Sequence, residues 1–174
     1  MKKVFLLTGI VFFLILCAGA GTYMDLSRYA DTPAQPDNSE KVVVTIRQGQ
    51  SLKSTAKMLS EKRIIRNPFK LTLIARINGQ DKQLKAGEYS LSAAMTPSQI
   101  LEIMVKGEVK LYKLTVPEGY NIVQISELVH QAGFGSKNAF TLAATDDAKG
   151  QKMGVKAETL EGYLFPDTYY FPRE

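Results

Sequence analysis

A strand, a glycine turn and a capped helix occur twice in this sequence, 70 residues apart, and no other feature restricts the fold as strongly. Thr45-Ile46-x-x-Gly49 leads through Ser51 into an apolar set of Leu52, Thr55, Met58 and Leu59. Thr115-Val116-x-x-Gly119 leads through Asn121 into Ile122, Ile125, Leu128 and Val129. The runs before the turns, "KVVVTI" and "EVKLYKLTV", are β-branched or alternating and read as strands. Ser and Asn before an apolar stripe of helical spacing read as N-caps. Two readings of the recurrence are open: a repeated unit, or two ordinary strand-to-helix connections sharing one turn chemistry. Both give an α+β chain of short strands and short helices.

Between the two occurrences, Asn67-Pro68 is a cap followed by proline at the first helical position, and that helix stops at Asn78-Gly79. "LKAGEYSL" reads as a turn into a strand. Thr96-Pro97-Ser98-Gln99 is a capping box that launches "ILEIMV", and Gly107 ends that helix. His130 falls on the polar side of its helix, as a solvated surface residue. Met58, Met95, Met104 and Met153 read as core or loop fillers.

The N-terminus belongs to a different solvent. Lys2 and Lys3 precede an uncharged stretch from Val4 to Met24, about 21 residues and roughly 31 Å as a helix, enough to span a bilayer. The lysines favour a cytoplasmic N-terminus, with the rest of the chain outside. Residues 1–24 are therefore expected to be a single-pass transmembrane signal anchor. A cleaved signal peptide is the rival, since Ala18-Gly19-Ala20 suits a cleavage site. Acylation at Cys17 is disfavoured by the bulky Leu16 before it. All three versions export the rest of the chain. Residues 25–40, rich in Pro, Asp and Asn, are expected to be a linker.

Composition removes some function classes. The formal charge is +5, of which Lys2 and Lys3 supply two, and the remaining basic residues are mixed with acids. That argues against nucleic acid and suits loose contact with an anionic polymer. One cysteine and one histidine leave no internal disulfide and no Cys/His metal cluster. No cofactor or metal is called for.

The chemistry concentrates in "LEGYLFPDTYYFPRE", Leu160 to Glu174. Glycosidic bond cleavage needs a proton for the leaving oxygen and stabilisation of charge at the sugar carbon. Glu161, flanked in sequence by Leu160, Tyr163, Leu164 and Phe165, has apolar neighbours that would favour its protonated form. Gly162 leaves room for a ligand to approach the backbone. Tyr163, Phe165 and Tyr169 are candidate cleft walls, because aromatic faces suit sugar rings. A turn is expected at Pro166-Asp167, with Asp167 bonding its own backbone. The residues alone also fit a plainer account: a solvated glutamate at a turn beside a core strand.

Two resemblances bear on that choice. "VTIRQGQSLKSTAKML" resembles the LysM pattern, a strand leading through a Gly-x-Ser/Thr turn into a helix with an internal alanine. The resemblance implies contact with N-acetylglucosamine-containing wall glycan, although Gln50 stands where an acidic residue is common. "LEGYLFPDTYYF" resembles the signature of the MltG-like (YceG-like) endolytic murein transglycosylases. The N-terminal anchor, the LysM-like unit, "AGEYSL" and "VPEG" follow in that family's order.

This second resemblance implies that Glu161 is the catalytic acid/base, with Asp167 and Thr168 bracing the loop and Glu118 and Gly162 in supporting roles. It implies non-hydrolytic cleavage of the β-1,4 bond between N-acetylmuramic acid (MurNAc) and N-acetylglucosamine (GlcNAc) in nascent glycan, leaving 1,6-anhydro-MurNAc ends. The partners implied are peptidoglycan glycan strands, the membrane, and wall synthases such as penicillin-binding proteins.

Members of that family continue beyond the signature with a segment carrying another glutamate. Residues 41–109 are thus expected to be the LysM-like subdomain, and 110–174 the N-terminal part of a truncated catalytic domain. The activity of this chain alone is left open. A non-catalytic, membrane-anchored peptidoglycan-binding module is the alternative, and a scaffold that recruits synthases is a third.

Overall fold

Both glycine turns take the conformation that their sequence asks for. Gly49 and Gly119 each have φ +76°, a left-handed backbone that L side chains rarely adopt. The computed structural model describes the backbone of residues 2–152 and 154–173, with side chains from residue 12 onward. It divides into two compact units, residues 1–109 and 110–174.

The first unit begins with α1 (Lys2–Ala30), then β1 (Lys41–Ile46), α2 (Leu52–Glu61), α3 (Pro68–Ile77), β2 (Gly87–Ser92) and α4 (Pro97–Lys106). The two strands pair antiparallel, with Lys41 opposite Ser92 and Ile46 opposite Gly87. Alternation along β1 turns Val44 and Ile46 inward. They meet Leu52, Ala56 and Leu59 of α2, Leu71 and Ile74 of α3, and Ile100, Leu101 and Met104 of α4 in one core. Each fully buried Leu or Ile contributes about 1.5–3 kcal/mol relative to exposure. Tyr89 is wholly buried, and its hydroxyl donates to the Lys85 carbonyl at 2.8 Å; burial pushes the phenol up from its ordinary value. The capping box at Thr96 and Gln99 forms as the sequence predicts, and Gly107 closes α4 in the left-handed region.

Residues 25–40 are not a free tether. Leu26, Tyr29 and Ala30 pack against the first core, and the Tyr29 hydroxyl donates to the Asn67 carbonyl at 2.7 Å. Arg66 Nε donates to the Ala34 carbonyl, and Gln35 N–H to that of Ala93. The apolar and aromatic residues among the polar ones supply these contacts. The expected span, Val4–Met24, lies within α1, but the side chains of residues 4–11 fall outside the described residues. Among the described residues no helix is long and apolar enough to cross a membrane.

The second unit comprises β3 (Leu111–Val116), α5 (Ile122–Gln131), α6 (Lys137–Ala144), α7 (Asp147–Lys152) and β4 (Asp167–Pro172). It repeats the first unit's plan. β3 and α5 start and stop 70 residues after β1 and α2, and the inward positions Leu114, Val116, Ile122, Ile125, Ser126 and Val129 match Val44, Ile46, Leu52, Thr55, Ala56 and Leu59. β4 pairs antiparallel with β3 in the equivalent register, Leu111 opposite Pro172 and Val116 opposite Asp167. Tyr169 faces Leu114 as Tyr89 faces Val44, and its hydroxyl likewise donates to the carbonyl four residues back, Phe165, at 2.9 Å. The recurrence in the sequence is thus a repeated structural unit.

The copies differ in the connection before the last strand, residues 78–86 in the first and 145–166 in the second, where α7 is inserted. The turn expected at Pro166-Asp167 is displaced. Pro166 is only a bend on the way into β4, and the chain reverses earlier, at Leu160–Tyr163.

Candidate functional site

The turn that carries Glu161 is built from local chemistry. Tyr163 N–H donates to the Leu160 carbonyl at 3.0 Å, and Gly162 sits third in the turn with φ +78°. A positive φ at that position calls for glycine. A Cβ there would meet nothing within 4 Å, so the backbone, rather than crowding, dictates the residue, and the space above it is open. Leu160 N–H donates to the Ala144 carbonyl at 2.8 Å, tying the turn to the end of α6, and Thr159 Oγ1 accepts from Glu161 N–H at 3.3 Å.

Across from this turn is the N-terminus of α5. Its first amides have no partners within the helix. The capping box takes two donors: Gln124 N–H donates to Asn121 Oδ1 and Asn121 N–H to Gln124 Oε1, both at 2.9 Å. The next, Ile122 N–H, donates to Glu161 Oε2 at 3.1 Å. A helix N-terminus favours negative charge, so this amide fixes one carboxylate oxygen by both geometry and field. The other oxygen has no protein partner among the described residues.

A pocket of about 300 Å³ lies between the two segments. Gly119 to Ile122, with Ile125, line one side; Leu160 to Gly162, with Leu164 and Pro166, line the other. Its size is near the lower end for ligand sites, which suits part of a chain-like ligand. Among the described residues no group of three or more His, Cys, Asp or Glu side chains is gathered to hold a metal ion.

Of the residues singled out in the sequence, Glu161 and Gly162 lie in this pocket. Tyr163 and Phe165 are 48% and 68% exposed and do not line it. Glu161 is itself exposed. Of the sequence neighbours expected to enclose it, Leu160 and Leu164 line the pocket, while Tyr163 and Phe165 stay exposed outside it, so the enclosure is partial. Tyr169 is a packing residue rather than a cleft wall: it joins the core of Leu114, Val116, Ile125 and Val129 and stacks on Phe171 at 5.9 Å.

Asp167 Oδ1 accepts from Thr168 N–H at 2.6 Å, and the Thr168 hydroxyl bonds that of Thr115 across the strands at 3.2 Å. Both brace the start of β4. Glu118 is exposed in the β3–α5 turn and does not line the pocket. Sequence reasoning read Asn121 as a helix cap and Ile122 as an apolar stripe position, and assigned neither of them, nor Tyr120, to the site. The signal was there in the capped helix after Gly119, since an N-terminal amide is a ready donor to a carboxylate.

The sequence matches the model of the YceG-like family over residues 44–174. Proteins named endolytic murein transglycosylase from two strains of Streptococcus pneumoniae, serotype 2 D39 and R6, are 27% identical over 195 residues, covering 96% of this chain. The chain spans about a third of those relatives' length, 35%. A crystal structure of a yceG-like protein from Listeria monocytogenes matches with 33% identity and a TM-score of 0.45, over 76% of this chain and 48% of that one. The family match takes in both strand–turn–helix units and the acidic turn between α7 and β4, well over half the sequence. The chain belongs to the YceG-like family.

Proposed function

We propose that this chain acts on peptidoglycan glycan strands as a lytic transglycosylase, with Glu161 as its acid/base. One observation carries the proposal: in a YceG-like chain, Glu161 lines a pocket with one oxygen on the Ile122 amide and the other without a partner among the described residues. The name of the pneumococcal relatives supports the same chemistry. Protonated Glu161 donates to the oxygen of the MurNAc–GlcNAc β-1,4 bond as positive charge develops at the sugar carbon. Its carboxylate then takes the proton of the muramyl 6-hydroxyl, which closes on its own anomeric carbon to leave a 1,6-anhydro-MurNAc end. One carboxyl group serves both steps because the nucleophile belongs to the substrate. Intramolecular attack avoids the cost of positioning a water. The Ile122 amide stabilises the carboxylate left after the first step.

The wider setting belongs to the same reading. The apolar run in α1 is a single-pass anchor in the plasma membrane, with the folded units outside, and the chain terminates nascent strands beside the wall synthases. The two lysines before the run support that orientation.

The test is to incubate the full chain with uncross-linked glycan strands and seek anhydro-muramyl ends by mass spectrometry. Glu161→Gln is expected to lower their rate of formation by at least about 100-fold, the scale of a lost general acid/base. Anhydro ends produced at an unchanged rate by that variant reject the assignment.

A second reading, a non-catalytic membrane-anchored module that binds peptidoglycan, draws support from the first unit. There a strand, the Gly49 turn and a helix with the buried Ala56 follow the LysM-like order. Glycan retained by the chain, with no cleavage under any condition, favours that reading.

A further inference from the structure

The two copies of the unit form an internal comparison, because one scaffold is decorated in two ways. Aligning β4 with β2 places Glu161 on Asp81, Gly162 on Lys82 and Leu164 on Leu84. Each copy closes a turn there, Gln83 N–H donating to the Gln80 carbonyl and Tyr163 N–H to that of Leu160, but only the second has a left-handed third residue, Gly162. Aligning α5 with α2 places Tyr120 on Gln50.

Gln50 folds back on its own unit. Its Oε1 accepts from Arg47 N–H, and its Nε2 donates to the Thr55 hydroxyl, which covers the helix start. In the second unit Thr55 is replaced by Ile125, which cannot take such a bond, and Tyr120 lines the pocket with Glu161 while staying 39% exposed. Among the described residues it is the only aromatic one in that lining. The copies keep the same buried positions along strand and helix, and among the positions where they differ, Tyr120 for Gln50 brings an aromatic face to this pocket.

We infer that Tyr120 is the substrate-positioning residue of the site: its ring is the flat face on which a sugar of the glycan rests while Glu161 meets the glycosidic oxygen. This deepens the proposed function and rests on it. A pyranose ring has an apolar face of axial C–H groups and a polar edge, which matches an aromatic ring with a hydroxyl tip. The rigid Gly119 turn before Tyr120 and the capping box after it limit its freedom, so little ordering remains to be done on binding.

The test measures affinity for uncross-linked glycan strands by calorimetry, using the full chain in a Glu161→Gln background so that no turnover occurs. Tyr120→Ala is expected to weaken binding roughly fivefold to tenfold, Tyr120→Trp to keep it within about twofold, and Tyr120→Leu to behave as Ala. Unfolding midpoints are compared alongside, and rescue by Trp but not Leu is a pattern that lost packing does not produce. Unchanged affinity in Tyr120→Ala, or equal rescue by Leu, overturns the inference and leaves the site reading intact. No glycan binding by any version overturns both. With Glu161 restored, Tyr120→Ala is expected to raise KM more than it lowers kcat; a fall in kcat alone overturns the positioning role.

Discussion

At the scale of single residues, Gly162 and Ile122 determine where the Glu161 carboxylate can be. Gly162→Ala places a Cβ on a left-handed backbone with empty space around it, so its effect is strain alone. The expected loss is about 1 kcal/mol in a urea titration, and Gly162→Asn should lose less because Asn tolerates that region better. Neither change removes a contact, so a loss above about 3 kcal/mol would contradict this account of the turn. Glu161 could be picked out by eye because its string is distinctive. Its partner lies 39 residues earlier, in a helix start that looks like any other, and a pairing of that range leaves no local trace. Tyr163 and Phe165 misled for a related reason: adjacency in sequence to a carboxylate says nothing about which way a turn aims its side chains.

Among the elements, α5 carries the most consequence. Its capping box holds two of the N-terminal donors and leaves the Ile122 amide for Glu161. Asn121→Ala should cost about 1 kcal/mol of stability, measured by thermal unfolding, and Asn121→Ser should recover most of it. At the polar face of the same helix, Glu127 is paired with Lys137 of α6 and accepts from Gln131. The Lys137 hydrogen bond, then that from Gln131, hold the Glu127 carboxyl below its ordinary value.

A carboxylate depressed in the folded state adds stability above its unfolded value, and that stability is lost as pH falls through the folded one. Acid unfolding of Glu127→Gln should therefore depend less on pH in that window, and equal slopes for the two proteins would refute the link. Except for β4, which begins at Asp167, where a turn was expected, the strands, α2 to α5 and their caps follow from periodicity and turn residues that the chain displays openly. The short α6 and α7 do not: with so few turns, and Ser136 as the one clear cap, their pattern is too brief to stand out.

For the molecule as a whole, repetition has not made the units equal. Among the described residues the first core gathers fifteen buried side chains and the second gathers four, with Leu111, Val123, Leu142 and Tyr170 of the second left exposed. Hydrogen exchange should find slower amides in β1 and β2 than in β3 and β4, since protection follows buried apolar contact. Faster exchange in the first pair would show that core size does not govern stability here. Leu101→Ala, deep in the first core, should cost about 2–5 kcal/mol by denaturant titration.

The strand registers carry one more consequence. Lys41 faces Ser92 and Leu111 faces Pro172, so in each copy the first residue of the opening strand and the last of the returning strand are ladder partners, about 5 Å apart. A segment whose ends meet needs only a short joint: Leu111–Pro172 can be spliced into a host loop or circularly permuted as one piece, whereas Lys41–Ser92 cut out alone would leave Ile100, Leu101 and Met104 of its core behind.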